Sequence, residues 1–409
     1  MKIAYLAPEI PALSATFVYN EIFQLEKLGM EIQPFSVHDN QAVFSDPSLQ
    51  DLKSRTHFLY QTPISSVITD QIKILLKRPA SYIKGLVFLI KDMIKTGIFT
   101  RLSMGMLYRF VYSASLANQL IKQNCEHIHV HFAHVPTDLA MYAAILAGIE
   151  YSVTAHANDL FQRGWLLKEK VERAKFFITI SEYNRQFLIA QGADGNKITV
   201  LHCGVDSAQF SLREDFIPSN IPKIGVVARL VEKKGIDHLI NAVAHLKKTA
   251  KPYQLVIVGD GPLLDEHQAL ASSLGLSSKE ITFLGAIDHQ EIAAFIKSLD
   301  VFVLPCQKDS AGDMDGIPVV LMEAMLSGVP VISTPITGIP ELIIQGETGL
   351  LASIGSESEL TDCIEQSIND GELTKVRVTK GVVKVEMDFS LVKNSLRLYH
   401  LILAEEDKV

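Results

Sequence analysis

Val301–Gly328, VFVLPCQKDSAGDMDGIPVVLMEAMLSG, reads as a strand, a loop and a helix in immediate succession. The apolar run Val301–Leu304 is bounded by Pro305, and a polar, glycine-containing loop follows. An apolar helical run from about Ile317 to Leu326 is stopped by Gly328. Pro318 suits the first helical turn, where a missing N–H costs nothing. The unbonded N–H groups of Gly316, Ile317 and Val319, around Pro318, are then aimed into the loop mouth, where an anion is favoured. Asp315 and Glu323 frame that mouth. Glu323 lies among Val319, Val320, Leu321, Met322, Ala324 and Met325, surroundings in which an ionised carboxylate is costly unless something binds it. It is read as an acceptor for sugar or ribose hydroxyls, against the alternative of a solvated outer-face glutamate.

The residues upstream carry the same strand–turn–helix grammar. Lys223–Arg229 is a strand, LVEKKG a turn, and Ile236–Leu246 a helix with Leu239, Val243 and Leu246 inward. Arg229, at a strand end, and Lys234, just before a helix, have the chemistry to grip one diphosphate, the first as a fork and the second as a point charge. Leu255–Val258 leads into Gly259-Asp260-Gly261-Pro262, a G-x-G turn lacking the third glycine and downstream acid of a dinucleotide fingerprint. Ile281–Gly285 is another strand and turn, and Pro330–Ser333 leads into the turn Thr334–Glu341. Phe210–Pro222, with Pro218 and Pro222, reads as a linker.

The first half begins with a strand without alternation, Lys2–Leu6, as parallel sheets require. A loop with Pro8 and Pro11 follows. A helix over about Thr16–Leu28 turns Phe17, Ile22, Leu25 and Leu28 inward and stops at Gly29, and Glu31–Val37 is the second strand. This opening is that of a doubly wound α/β sheet, in which ligands meet the carboxyl ends of strands. Further strands are Tyr151–His156, Phe176–Ser181 and Ile198–Cys203, and a terminal helix covers Asp388–Glu405. In CEHIHVHFAHVPTD, His127, His129 and His131 alternate on one strand face. Same-face neighbours on one strand seldom converge on one ion, and neither carboxylate nor Cys accompanies them in sequence, so no metal is expected there. His131 is placed at the strand's carboxyl end and the others within the sheet or on the surface.

With 409 residues the chain is too long for one core and suits two domains. Four scattered cysteines without C-x-x-C spacing argue for a reducing compartment. The N-terminal MKIAYLAPEIPAL is a strand and loop rather than a signal peptide, and no apolar run reaches membrane-spanning length. The net charge of −8 is uneven, because residues 71–122 hold nine Lys/Arg against Asp92 alone, leaving −16 elsewhere. That imbalance speaks against nucleic acid as a partner. The basic stretch, broken near Pro79 and Gly97, reads as amphipathic helices, either packed with a solvated basic face or resting on anionic lipid.

DGIPVVLMEAMLSGVPVI, with Asp315 and Glu323 in the places of an E-x7-E pair, resembles the family-4 retaining glycosyltransferases, in their exopolysaccharide and colanic-acid branch. The resemblance spans nearly the whole chain. It departs at Asp315, where Glu is usual, at Ala228 before Arg229, where Gly is usual, at Ala15, where an acid is usual, and at Cys203 of the Cys203–Asp206 turn, where Asn is usual. It implies an α/β GT-B fold, two doubly wound Rossmann-like domains facing across a cleft, divided as 1–210 for the acceptor, 211–387 for the nucleotide-sugar, and 388–409 as a helix crossing back. It implies transfer from a UDP- or GDP-linked sugar to a glycan or lipid-linked acceptor, with anomeric configuration retained. No metal and no cofactor take part, and Asp313-Met314-Asp315 is not read as a metal pair. Asp315, Glu323 and His156 take the catalytic places. Arg229, Lys234, Gly259, Gly261, Gly285, Gly316, Ile317, Pro318 and Val319 hold the donor. Ser14, Thr16, His131 and Asp159 lie toward the acceptor. The enzyme is expected in the cytoplasm or peripheral on the inner face of the membrane. A sugar-nucleotide epimerase on this fold and a non-catalytic sugar-nucleotide-binding subunit are the alternatives.

Overall fold

A computed structural model describes residues 1–12, 15–213, 219–247 and 252–404, with the side chains of 289 and 290 omitted. Ser14, part of the expected linker and the last residue of the expected terminal helix fall outside the described residues.

The chain forms two units, Met1–Leu201 with the segment from Val392 onward, and His202–Leu391. In the first, strands β1 (Lys2–Ala7), β2 (Glu31–Ser36), β3 (His57–Phe58), β4 (His127–His131), β5 (Glu150–Ala155), β6 (Phe177–Thr179) and β7 (Ile198–Val200) form one sheet in the order β3-β2-β1-β4-β5-β6-β7. Every pairing is parallel. Ile3, Ala4, Tyr5, Leu6 and Ala7 are all fully buried, which explains the uninterrupted apolar run: helices cover both faces of a parallel sheet. The order reverses between β1 and β4, so the ends of these two strands, at Ala7 and His131, flank the crevice where such sheets bind ligands.

The second unit repeats the plan with β8 (Lys223–Val227), β9 (Gln254–Val258), β10 (Ile281–Gly285), β11 (Val301–Val303), β12 (Val331–Ser333) and β13 (Leu350–Leu351), ordered β10-β9-β8-β11-β12-β13 and again all parallel. Its reversal lies between β8 and β11, the strands that deliver Arg229 and the Pro305–Gly316 loop.

Several local expectations shift. The opening helix is Thr16–Lys27, with Val18 buried and Leu28 37% exposed, so Leu28 ends the helix rather than facing the core. The basic stretch folds as helices Ile64–Lys77, Pro79–Thr96 and Arg101–Lys122, parted at Arg78 and Gly97. The expected terminal helix Asp388–Glu405 begins later, as Leu391–Leu403, because Asp388 instead ends the helix Gly371–Asp388 of the second unit; Leu391–Leu403 packs Leu398 and Ile402 into the first unit's core with Ile3 and Ile22. There Lys175 Nζ donates to the Ile402 carbonyl at 3.1 Å. The Gly204–Asp206 turn belongs to the second unit, where Val205 N–H donates to Phe389 O at 2.9 Å.

Candidate functional site

In the second unit, the turn after β8 and the loop after β11 are stitched together. Gln307 N–H donates to Lys233 O at 2.9 Å, and Gln307 Nε2 to Glu232 O at 2.9 Å. Lys234 Nζ donates to Asp315 Oδ2 at 2.6 Å. Lys233 Nζ lies 2.8 Å from Asp313 Oδ2 and 3.4 Å from Asp315 Oδ1. Both carboxylates of the D-x-D sequence are thus paired with lysines. Burial would push the Asp315 carboxyl up, but Lys234 and Lys233 outweigh it and hold it below the usual range. Burial would likewise pull Lys234 down, and Asp315 reverses that. The buried Cys306 thiol donates to Asp315 Oδ2 at 3.5 Å, and burial followed by the Asp315 charge raises it well above an ordinary thiol.

The helix is Val319–Leu326, starting two residues later than expected, with Pro318 as its N-cap in extended conformation rather than inside the first turn. Proline's residue before it is steered away from helical angles, which delays the start. The N–H groups of Gly316, Ile317 and Val319 donate to no recorded partner among the described residues. Thr337, held at φ +49°, donates its hydroxyl to Asp315 O at 2.6 Å and Gly316 O at 2.8 Å, fixing this peptide pair. Glu323 is half-buried on the second turn of the helix, and burial alone raises its pKa to about 7. It is not on a solvated outer face.

Arg229 is exposed, and no ion pair is recorded for it among the described residues. The glycine turn beside it leaves no room for side chains. A Cβ at Gly259 (φ +130°) would sit 1.9 Å from Ala228 O, and one at Gly261 2.4 Å from Leu230 O. Gly259 N–H donates to Gly285 O at 2.8 Å, joining the turns after β9 and β10. Arg229, Lys233, Lys234, the glycine turn and the Asp315–Val319 segment therefore gather at the carboxyl edge of this unit's sheet. Lys233 was missed in the sequence, although the Lys233–Lys234 doublet was visible there.

In the first unit, His131 and His156 end β4 and follow β5, with His131 Nδ1 3.0 Å from His156 Nε2. His156 is buried, and burial, then His131 and His134, lower its pKa well below the usual value. Its ring packs against Phe17 and Phe132 at 4.5 Å each. Asp159 accepts from the backbone N–H of His156 at 3.0 Å and of Ala133 at 2.6 Å, so it braces the backbone beneath the ring. Burial raises Asp159 to about 6 despite these bonds. Thr16 begins the opening helix and is half-buried. His127 and His129 are buried in the sheet, not at the surface. A carboxylate does accompany the histidines: Glu21, from the opening helix, places Oε1 3.0 Å from His131 Nε2 and 3.8 Å from His129 Nε2. These three residues offer ligand atoms within 4.8 Å of one another. Glu21 escaped the sequence reading because the contact joins elements more than a hundred residues apart.

Residues 209–381 match the family described as Glycosyl transferases group 1, and residues 91–209 match Glycosyltransferase Family 4. The chain is 27% identical to the amylovoran biosynthesis glycosyltransferase AmsK of Erwinia amylovora, over 95% of this chain and 96% of that one. It is 28% identical to the putative colanic acid biosynthesis glycosyltransferase WcaL of Escherichia coli (strain K12), over the same shares. Among solved structures, Anabaena Alr3699/HepE in complex with UDP superposes with a TM-score of 0.73 at 16% identity, covering 99% of this chain and 100% of that one, a likeness of fold.

Proposed function

The chain belongs to the family-4, group 1 glycosyltransferases of GT-B fold, and we propose that it moves a sugar from a UDP- or GDP-linked donor to a glycan or lipid-linked acceptor in polysaccharide biosynthesis, with retention and without a metal. One observation carries the donor reading. Arg229, Lys233 and Lys234 share the edge of the second unit's sheet with the unbonded N–H groups of Gly316, Ile317 and Val319, at a helix start. Cations with a helix N-terminus are the chemistry of a diphosphate clamp. They stabilise charge growing on the departing diphosphate, work otherwise done by a metal ion.

Glu323 accepts from the ribose hydroxyls, and the close-packed turn at Gly259 and Gly261, with Gly285 beside it, gives the nucleoside a backbone wall to lie on. Asp315 holds the two lysines in register and reaches the sugar ring once the diphosphate competes for them. By the family resemblance His156 is assigned to orient the transferred sugar, and Asp159 braces its backbone. Ser14, Thr16 and His131 belong to the acceptor side. The acceptor hydroxyl attacks from the leaving-group side and gives its proton to the departing phosphate, so no side-chain nucleophile is required.

A lipid-linked acceptor is favoured by the helices Ile64–Lys77 and Pro79–Thr96. Ile68, Ile72, Leu76, Ile83, Ile90 and Ile94 are each more than half exposed there, interleaved with Lys73, Lys77, Lys84 and Lys91. This pattern suits an anionic interface reached from the cytoplasm, and no helix among the described residues is long and apolar enough to cross a membrane. Not all of the basic stretch takes part: Arg78 donates to Ala147 O at 2.7 Å and Arg109 pairs with Asp138 at 3.0 Å. The test is a transfer assay in EDTA with UDP- and GDP-sugars and a lipid-linked acceptor, reading nucleotide release and the anomeric configuration of the product. Acceptor-dependent release with the donor's configuration kept supports the reading. An inverted product, or release only with added metal, refutes it.

A further inference from the structure

We propose that Glu21, His129 and His131 form a Zn²⁺ site that staples the opening helix Thr16–Lys27 to β4. All three residues belong to the first unit, whereas the diphosphate clamp belongs to the second. The inference therefore holds whether or not the chain transfers sugar, and the ion takes no part in the proposed transfer.

Glu21 comes from the second turn of the opening helix, and His129 and His131 project from one face of β4. Two such strand neighbours ordinarily run side by side, which is why the sequence led us to expect no ion. Here the imidazoles cross at 83° with centroids 5.4 Å apart. Both Nε2 atoms approach one Glu21 oxygen, at 3.0 Å from His131 and 3.8 Å from His129. Two ligands of a tetrahedral Zn²⁺ stand about 3.4 Å apart at ordinary Zn–N and Zn–O lengths, between these two separations. All three ligand atoms lie within 4.8 Å of one another. Two hydroxyl oxygens border the cluster, Tyr5 at 2.6 Å from His131 Nε2, donating also to Glu21, and Thr154 at 3.1 Å from His129 Nε2.

Charge points the same way. Asp315 is matched by two lysines, but Glu21 has no Lys or Arg partner among the described residues, and only the imidazoles face it. A half-buried carboxylate in such surroundings draws a cation. A metal ion supplies that charge and displaces any proton the histidines carry, so the site does not depend on their protonation beforehand. The far nitrogens are held as those of metal-bound histidines are: His129 Nδ1 lies 2.8 Å from Ser152 Oγ, and His131 Nδ1 3.0 Å from His156 Nε2. Both ligand histidines are buried, while the Glu21 side chain is 18% exposed and marks the way in. Two imidazole nitrogens with one carboxylate suit Zn²⁺, whereas Mg²⁺ and Ca²⁺ want oxygen ligands throughout.

The test is titration of the whole, metal-free protein with Zn²⁺ against a chelating indicator, joined to ¹⁵N-histidine NMR. The expected result is one tightly held Zn²⁺ per chain that a large excess of Mg²⁺ does not displace, with a melting temperature that rises as Zn²⁺ is added. The Nε2 signals of His129 and His131 should move together, reversibly with EDTA, while the exposed His38 stays in place. Glu21→Gln keeps the shape of the side chain and should weaken Zn²⁺ binding by at least about 100-fold, because loss of even an outer contact costs roughly 10–100-fold. Ser152→Ala removes such an outer contact and should cost about 10-fold. Any of three results overturns the proposal: no Zn²⁺ bound by wild type, equal affinity in Glu21→Gln, or shifts confined to other histidines. The wild-type spectrum needs no variant to fold. It also needs no sugar donor, so failure of the glycosyltransferase reading and failure of the metal site are told apart.

Discussion

Lys234 holds its ammonium 2.6 Å from the Asp315 carboxylate, joining the turn after one central strand to the loop after its neighbour. Side-chain exposures of 16% and 13% place the pair largely out of water, where a charge left without a countercharge is costly. The pair pre-positions a cation where the donor's diphosphate is proposed to lie.

Asp315→Asn leaves Lys233 and Lys234 short of a countercharge. The expected loss of stability is roughly 3 kcal/mol at neutral pH, read by denaturant unfolding. Asp315 is held below its ordinary value, so its contribution is present above the unfolded carboxylate pKa and is lost as pH falls through the folded one. The difference between wild type and variant should accordingly shrink in acid.

Glu323 behaves in the opposite sense. Burial raises it to about 7, so the free protein holds a proton there that the unfolded chain releases at lower pH. Its ionisation costs stability as pH rises toward 7. Ribose hydroxyls donating to the carboxylate favour the ionised form, so nucleotide affinity should rise with pH through about 7. In Glu323→Gln the profile should be flat, as measured by calorimetry in buffers of different ionisation heat.

Gly259→Ala tests the nucleotide wall. With φ at +130° and the Ala228 carbonyl 1.9 Å from the new Cβ, the turn must open, at a cost of roughly 3 kcal/mol or more. Gly285→Ala meets no atom within 4 Å and is strained only through its φ of +71°. Its expected loss is smaller, about 1 kcal/mol. The comparison is made by thermal unfolding without ligand.

Anionic vesicles at low salt should pellet the wild-type protein. Leu76→Asp, at a side chain 75% exposed, should weaken this with no change in melting temperature. Neutral vesicles should bind less. Absence of binding to anionic vesicles would remove the membrane face from the account.

The repeated strand–turn–helix grammar was legible because buried parallel strands leave apolar runs that glycine and proline punctuate, as at Val301–Leu304 and Pro305. The donor loop was legible for the same reason: Asp315, Glu323, Arg229 and Lys234 stand at element ends. What could not be read is set by long-range pairing. Nothing near Glu21 marks it as the partner of His131, and nothing near Lys170 marks it as fully buried against Asp138 at 2.9 Å, with Arg109 and Trp165 on the same carboxylate. The start of the helix at Val319 rather than Ile317 turned on local sterics at Pro318, which pattern alone left ambiguous.

The central claim is that the second unit clamps a nucleoside diphosphate with side-chain cations and helix amides. Thermal shift with UDP, GDP, ADP and CDP in EDTA, on wild type and Lys234→Ala, tests it most directly, because a ligand of the native state raises its melting temperature by mass action. The account predicts stabilisation by UDP or GDP, weakened in Lys234→Ala to an extent matching a roughly 10-fold or greater loss of affinity. No shift with any nucleotide, or an equal shift in the variant, would contradict it.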